Sequence, residues 1–318
     1  MTARTRPDEA TVLGWLTELS NWGRWGAEDQ RGTLNFIDAR QVAAAGSLIQ
    51  TGEAISCSMP IGYEREPHSV TGRGGSKFAW KTAPMQFVFV AGDASRPEDT
   101  AIVHGNDAFL ISPHGTLITH LDAPSHILFR GRMYNGIPSG TLSVSGGAQR
   151  CAVDLAQRGI VSRGVLLDVP RALGRDWLAD GEEIYPEDLE ACERYAGVRV
   201  GPGDAVLVRT GYRKRNPRGA AAGRPGLQAA CLPWIHEREI GLLCSDATHD
   251  VNPHGYSFGS PIHTVGIYGM GLWLVDNCLL EDLGAACVGN ARWEFFLSVA
   301  PLAFTGGTGS PVNPLAIF

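Results

Sequence analysis

Short apolar runs alternate along the chain with longer amphipathic segments. Five runs bounded by Gly, Asp or Pro have the length and composition of buried β-strands, namely residues 87–90, 108–112, 164–169, 205–209 and 240–244. Apolar residues recur at helical spacing in segments 41–50, 186–195 and 226–238, and Pro186 lies where the first turn of a helix accepts proline. This alternation predicts an α/β fold.

Glycine and proline are spread along the whole chain. The 318 residues include 40 Gly and 19 Pro, which indicates many short elements joined by tight turns. The sequence shows no internal repeat with a period of about 20 to 50 residues and no low-complexity linker. We therefore expect residues 1–50 to form an N-terminal extension packed on a single core of residues 51–318.

Charge and cysteine content narrow the choice of partner and compartment. A net charge of −6 without a long basic block argues against nucleic acid and anionic membranes as partners. No apolar run reaches the length of about 18 residues that a membrane-spanning helix requires. Seven cysteines without a CxxC pair fit a reducing compartment. These features favour a cytoplasmic protein that acts on a small molecule.

Residues 119–126 read Thr-His-Leu-Asp-Ala-Pro-Ser-His and include three side chains that bind metals or transfer protons. Residues two apart in an extended strand point the same way, so His120 and Asp122 are expected to converge on one point. Pro124 suits the end of a strand, and a turn there would bring His126 back toward that point. Imidazole and carboxylate groups are ligands of zinc and manganese. The alternative is that these are polar strand-end residues that face water, or that a histidine is buried there with one hydrogen-bond partner.

Three later segments contain further candidates for this site. Asp246 follows an apolar strand in a polar cluster, which is equally typical of a site and of an Asx-rich turn. His263 opens an apolar, glycine-rich stretch, and Asp276 ends an apolar run, where it would ligate a metal or cap the next helical turn. Aromatic side chains for a wall against a ring-bearing substrate are available at Trp22, Trp25, Phe78, Trp80 and Tyr134. The alternative for each of them is a place in the hydrophobic core, which is the more common one for such side chains.

The order and spacing of these residues resemble a metal-dependent cyclase and hydrolase family with the signature H-x-G-T-H-x-D-x-P-x-H. The family includes bacterial kynurenine formamidase and isatin hydrolase, and the chain is similar to its longer branch. The second half of the signature is matched by Thr119, His120, Asp122, Pro124 and His126. Further similarity lies at residues 24–26, 32–35, 203–204, 209–211, 245–246, 263 and 276–277. The resemblance implies a swivelling β/β/α fold, a Zn or Mn centre, and assembly as a homodimer or homotetramer.

The first half of the signature differs, because Thr116 and Ile118 stand where the family has His and Gly. The resemblance implies two ligand sets that share Asp122, and the first set keeps only His120 and Asp122. The second set is present in this sequence as Asp122, His126, His263 and Asp276, where Asp276 stands in the position of a Glu in the family. His114 is the nearest substitute for the missing histidine, although it lies two residues early and would need a β-bulge. We therefore expect one Zn or Mn ion, and a second ion is in doubt.

A metal-dependent hydrolase is the function that these residues favour. A divalent ion activates water and polarises a carbonyl, which suffices to cleave an amide, formamide, cyclic amide or lactone. We expect His120, Asp122 and His263 to hold the ion, with His126 either a further ligand or the general base. Alternatives are a metal-free binding or interaction protein and a metal-dependent lyase or cyclase. The sequence lacks GxGxxG, Walker A, HExxH and GxSxG motifs, which argues against nicotinamide, ATP and serine-hydrolase chemistry.

Overall fold

A computed structural model describes residues 4–61, 84–91, 96, 100, 102–216 and 223–318. The predicted wall residues Phe78 and Trp80 lie outside these ranges. The strands are β1 (Ala54–Ser56), β2 (Met85–Val90), β3 (Asn106–Leu110), β4 (His120–Asp122), β5 (Leu142–Ser143), β6 (Gly147–Ala148), β7 (Ile160–Asp168), β8 (Glu183–Ile184), β9 (Ala205–Arg209), β10 (Gly226–Leu227), β11 (Leu242–Ser245), β12 (Trp273–Asp276), β13 (Glu294–Val299), β14 (Gly309–Pro311) and β15 (Leu315–Ile317).

Nine of these strands form one mixed sheet in the order β1-β15-β13-β7-β9-β11-β12-β4-β14. Its four central strands, β7, β9, β11 and β12, run parallel to one another. Antiparallel strands flank them, including β4 between β12 and β14. Parallel strands are normally covered on both faces, which explains why their sequences are nearly continuous apolar runs. The predicted α/β fold with a mixed β core is confirmed.

Helices cover both faces of the sheet. The α-helices are α1 (Glu9–Glu18), α2 (Ala39–Gly46), α3 (Val169–Ala172), α4 (Pro186–Ala196), α5 (Tyr212–Arg215), α6 (Cys231–Glu237) and α7 (Glu281–Gly289), and a π-helix spans Ile262–Met270. Short 3₁₀ turns occupy Gly32–Phe36, Pro124–His126, Tyr134–Gly136, Ser139–Thr141 and Val153–Ala156. Within the described ranges, no helix has the combined length and apolarity needed to cross a membrane.

Successive residues of the central strands face two different cores. Leu167 and Leu274 belong to the core shared with α4, α6 and the π-helix, whereas Leu166 and Leu121 belong to the core on the opposite face, shared with α7. This alternation follows from the two-residue period of a strand. Because Leu121 faces the second core, the side chains on either side of it in β4 face the first.

The N-terminal segment packs against the end of the π-helix. The backbones of Gly32 and Gly271 meet so closely that a Cβ on Gly32 would lie 2.1 Å from the carbonyl oxygen of Gly271. Both glycines have positive φ, and the N–H of Thr33 donates to the carbonyl of Gly271 over 3.0 Å. Only glycine permits this approach without displacing the backbone. The boundary at residue 50 between an extension and a catalytic core stays a prediction.

Some element boundaries differ from those predicted. The segment 226–238 is not one helix, because Gly226–Leu227 pairs with β8 as a parallel strand and α6 begins only at Cys231. Strands β2 and β3 form a separate hairpin rather than buried strands, with Phe89 60% and Phe109 65% exposed. Among the residues that the structure describes, these two strands pair only with each other and are not part of the nine-stranded sheet.

Candidate metal centre

Strand β4 presents His120 and Asp122 on one face near an end of the sheet. In its pairing with β12, Asp276 lies directly opposite His120, and Leu274 lies opposite Asp122. The intervening Leu121 points into the core on the other face. Strand register therefore brings an acid more than a hundred residues away in the chain onto the face shared by His120 and Asp122.

The ring of His120 is oriented by a backbone carbonyl two residues earlier in the chain. Its Nδ1 lies 3.0 Å from the carbonyl oxygen of Ile118, an arrangement in which Nδ1–H donates. Its Nε2 then faces the carboxylates, 3.5 Å from Oδ1 of Asp122 and 4.0 Å from Oδ2 of Asp276. A backbone carbonyl behind a histidine is a common way to fix the tautomer that binds a metal through Nε2.

The π-helix brings His263 to the same place. Asp250 accepts the N–H of Ile262 over 2.7 Å and bonds Nδ1 of His263 over 2.6 Å, which fixes both the start of the helix and the imidazole ring. The Nε2 of His263 lies 3.6 Å from Oδ2 of Asp122 and 3.5 Å from Oδ2 of Asp276. Burial opposes a charged ring, but the carboxylates of Asp276 and Asp250 raise the pKa of His263 well above its usual value.

Both central carboxylates have a buried oxygen without a hydrogen-bond partner, namely Oδ2 of Asp122 and Oδ1 of Asp276. Burial opposes their ionisation, yet the surrounding histidines hold both pKa values below the usual range. Buried carboxylates of this kind need a compensating cation. Tetrahedral ligands about 2.1 Å from an ion are about 3.4 Å apart. The separations of 3.5 and 3.6 Å around His263 therefore fit a divalent metal.

Two groups of side chains among the described residues lie close enough to share an ion. One contains His120, Asp122 and Asp276, and the other contains His114, Asp122 and His126. Asp122 belongs to both groups and is 0% exposed. Imidazole nitrogens with carboxylate oxygens are donors that suit zinc or manganese.

His126 is the most accessible histidine of this cluster, with 28% of its side chain exposed. It lies in the 3₁₀ turn that Pro124 begins after β4, and its Nε2 is 3.9 Å from Oδ2 of Asp122. Its ring stacks on that of His114 with 3.9 Å between centroids. Burial lowers the pKa of His126 to about 4, so the imidazole is neutral at pH 7 and able to accept a proton.

Two residues of the site, His249 and Asp250, lie in the polar cluster of residues 244–250 that the sequence analysis considered, although it singled out only Asp246 there. His249 is 0% exposed, has a φ of 46°, and places Nε2 3.2 Å from Oδ1 of Asp276, without the alignment of a hydrogen bond. Burial lowers the pKa of His249 to about 4. Their position just after a buried parallel strand was the available signal, because α/β sites gather at such strand ends.

Asp246 has a structural role in the loop after β9. Its carboxylate accepts the N–H groups of Thr210 and Gly211 over 2.8 to 3.0 Å and the hydroxyl of Thr210 over 2.6 Å. Burial raises the pKa of Asp246 to about 6. Asp276, by contrast, does not cap the next helix, because α7 follows Leu280 as its N-cap residue.

The aromatic candidates Trp25 and Tyr134 both contact residues of the N-terminal segment. Trp25 packs edge-on against Phe36 with 4.9 Å between ring centroids. The hydroxyl of Tyr134 donates to Oδ2 of Asp29 over 3.0 Å, and its ring is fully buried. The structure thus places both beside residues 29–36 and does not bring them into either group of candidate ligands.

The fold and the site together define an α/β protein with a buried His/Asp cluster that can hold a divalent metal. Comparison with protein families matches residues 55–250 to the Cyclase family, and the chain belongs to this family. A crystal structure described as a novel cyclase is 28% identical, covers 94% of this chain and 100% of its own, and superimposes with a TM-score of 0.82.

More distant solved structures share the fold. Isatin hydrolase A from Ralstonia solanacearum is 21% identical, with coverage of 88% of this chain and 97% of its own and a TM-score of 0.58. A "predicted metal-dependent hydrolase" from Bacillus stearothermophilus is 17% identical, with coverage of 84% and 98% and a TM-score of 0.52. Comparison with curated protein sequences gives no match.

Proposed function

We propose that this protein is a metal-dependent hydrolase that cleaves a C–N bond of an amide, formamide or cyclic amide, or the C–O bond of a lactone, in a small ring-bearing substrate. The observation that carries the proposal is the convergence of His120, Asp122, His263 and Asp276 around carboxylate oxygens that are buried and unsatisfied. The likeness to isatin hydrolases supports hydrolysis and a ring-bearing substrate.

One zinc or manganese ion is proposed to be held by the four residues named above. Such an ion supplies an activated water and polarises the scissile carbonyl. The protein's own part is to fix the ligands: the carbonyl of Ile118 orients His120, and Asp250 orients His263. Because both histidines are anchored through Nδ1, their Nε2 atoms face the ion site without rotation of the rings. The pKa of His263 is raised, so its Nε2 gives up a proton when an ion binds.

His126 is proposed as the general base. It is neutral at pH 7, lies at the accessible side of the cluster, and is 3.9 Å from the carboxylate oxygen that faces the ion site. In this role it takes a proton from the attacking water and returns it to the departing nitrogen or oxygen.

Metal analysis combined with a substrate screen tests the proposal. Protein purified without added metal is compared with Asp122→Asn, and amides, formamides and lactones are screened with both. We expect about one Zn or Mn per chain in the wild type, little in the variant, and hydrolysis only with metal. No metal in wild-type protein after reconstitution would refute the metal-dependent mechanism and favour a binding protein.

The fate of solvent oxygen distinguishes hydrolysis from lyase or cyclase chemistry. We expect product formed in ¹⁸O-labelled water to carry one labelled oxygen, because water is the nucleophile. Unlabelled product would contradict hydrolysis and leave a lyase or cyclase. We also propose a homodimer or homotetramer, for which light scattering should give two or four times the mass of one chain.

A further inference from the structure

His114 lies in a niche built for its ring. A Cβ on Gly309 would lie 2.6 Å from Cε1 of His114, so the absence of a side chain in β14 makes the space that the imidazole fills. Its Nε2 lies 2.9 Å from the hydroxyl oxygen of Thr308, and its face stacks on His126. His114, two residues before Thr116, therefore places its imidazole beside the candidate metal centre.

The hydrogen bonds of His114 use both ring nitrogens. Its Nδ1 lies 2.8 Å from Oδ1 of Asp122. An ionised carboxylate is an acceptor only, so Nδ1–H donates to Asp122, and in the neutral ring Nε2 then accepts the hydroxyl proton of Thr308. With both nitrogens engaged, His114 has no free lone pair for a metal. The other oxygen of Asp122, Oδ2, has no partner and faces His263 over 3.6 Å.

We propose that His114 is a positioning residue that holds Asp122 through its Oδ1 and leaves Oδ2 for a single metal ion. The hydroxyl of Thr308 fixes the tautomer, and the imidazole occupies the side of Asp122 where a second ion would otherwise bind. This inference rests on the metal centre of the proposed function, and it assigns to His114 a role other than that of a replacement ligand.

The test measures zinc affinity and stoichiometry of the metal-free protein by competition with a chromophoric chelator. His114→Ala should keep one ion per chain and bind it about 10- to 100-fold more weakly, the usual effect of removing an orienting partner. His114→Asn should recover part of this loss, because its amide N–H lies near the position of Nδ1. The exposed His104→Ala is the matched control and should bind like the wild type.

Thr308→Val provides an independent test that leaves the ring of His114 in place. It should weaken zinc binding several-fold without changing the stoichiometry, since it removes only the group that fixes the tautomer. Unchanged affinity in His114→Ala, or a fall from two ions per chain to one, would overturn the proposal. Absence of zinc binding in the wild type would instead refute the metal centre itself, so the two failures are distinguishable.

Discussion

Residue by residue, His120 and His263 share one arrangement, in which Nδ1 is held by the protein and Nε2 faces the carboxylates of Asp122 and Asp276. Asp250 illustrates this best, because one carboxylate both bonds His263 and accepts the first N–H of the π-helix. Asp250 therefore fixes the imidazole of His263 relative to the backbone of the π-helix. Metal binding then does not incur the conformational-entropy cost of ordering the side chain of His263.

Replacing Asp250 by Asn should weaken metal binding about 10- to 100-fold, the range typical of residues that orient a ligand. The amide oxygen still accepts the helix N–H, but the charge behind His263 is lost. Chelator competition measures the effect, and circular dichroism checks the fold. The exposed Asp282 on α7 supplies the control, and Asp282→Asn should bind like the wild type. Wild-type affinity in Asp250→Asn would show that the carboxylate does not support the ligand.

His249 should make the metal-free protein sensitive to acid. Its pKa falls from 6.5 to about 4 on burial, so the unfolded chain binds more protons than the folded one between these values. The stability that depends on a neutral His249 is present above pH 6.5 and is lost as the pH falls toward 4, by up to about 3 kcal/mol.

Urea unfolding of the metal-free wild type and of His249→Gln at pH 7.5, 5.5 and 4.5 measures this effect. The glutamine variant carries no titrating group at this position, so its unfolding free energy should fall less as the pH is lowered. Parallel pH profiles for the two proteins would contradict the assignment, because His249 would then titrate as in the unfolded chain.

At the scale of elements, local patterns were predictable and the pairing of distant segments was not. Alternation in β4 and the stop at Pro124 were sufficient to place His120 and Asp122 on one face. The register that puts Asp276 opposite His120 depends on contacts between segments far apart in the chain, which no local period encodes. The same reason explains why Gly226–Leu227 was predicted as helix, since its strand form depends on pairing with β8.

The crossing of the N-terminal segment over the π-helix end should be sensitive to any side chain at Gly271. Gly271→Ala places a Cβ 2.6 Å from the ring of Tyr134 and 2.7 Å from Cα of Gly32. We expect a loss of unfolding free energy above the roughly 1 to 2 kcal/mol that positive φ alone costs.

Gly174→Ala isolates the cost of positive φ, because Gly174 has a φ of 69° and open space around it. Thermal unfolding of both variants compares them directly. Gly271→Ala should melt several degrees lower than Gly174→Ala. Equal melting temperatures would mean that the N-terminal segment moves aside at little cost and that the close approach is not needed.

For the whole molecule, metal and fold should be coupled. Ions bind a preformed site and not the unfolded chain, so metal removal should lower the thermal midpoint by several degrees, and zinc or manganese should restore it. At a free metal concentration about 100 times Kd, the added stability is about 2.7 kcal/mol. Calorimetry with and without chelator measures this, and Asp122→Asn should show no response. An equal midpoint in all samples would contradict a metal held in the core.

Strand β4 lies between β12 and β14, and both of these strands are made late in translation. A ribosome that has completed His120 and Asp122 has still to make Asp276 and, after it, Gly309–Pro311. The metal site cannot exist on such a nascent chain, however much metal the cell contains. Under the proposed function, loading with metal is therefore a step that follows synthesis, and an ion held at this site would report that β4, β12 and β14 have paired.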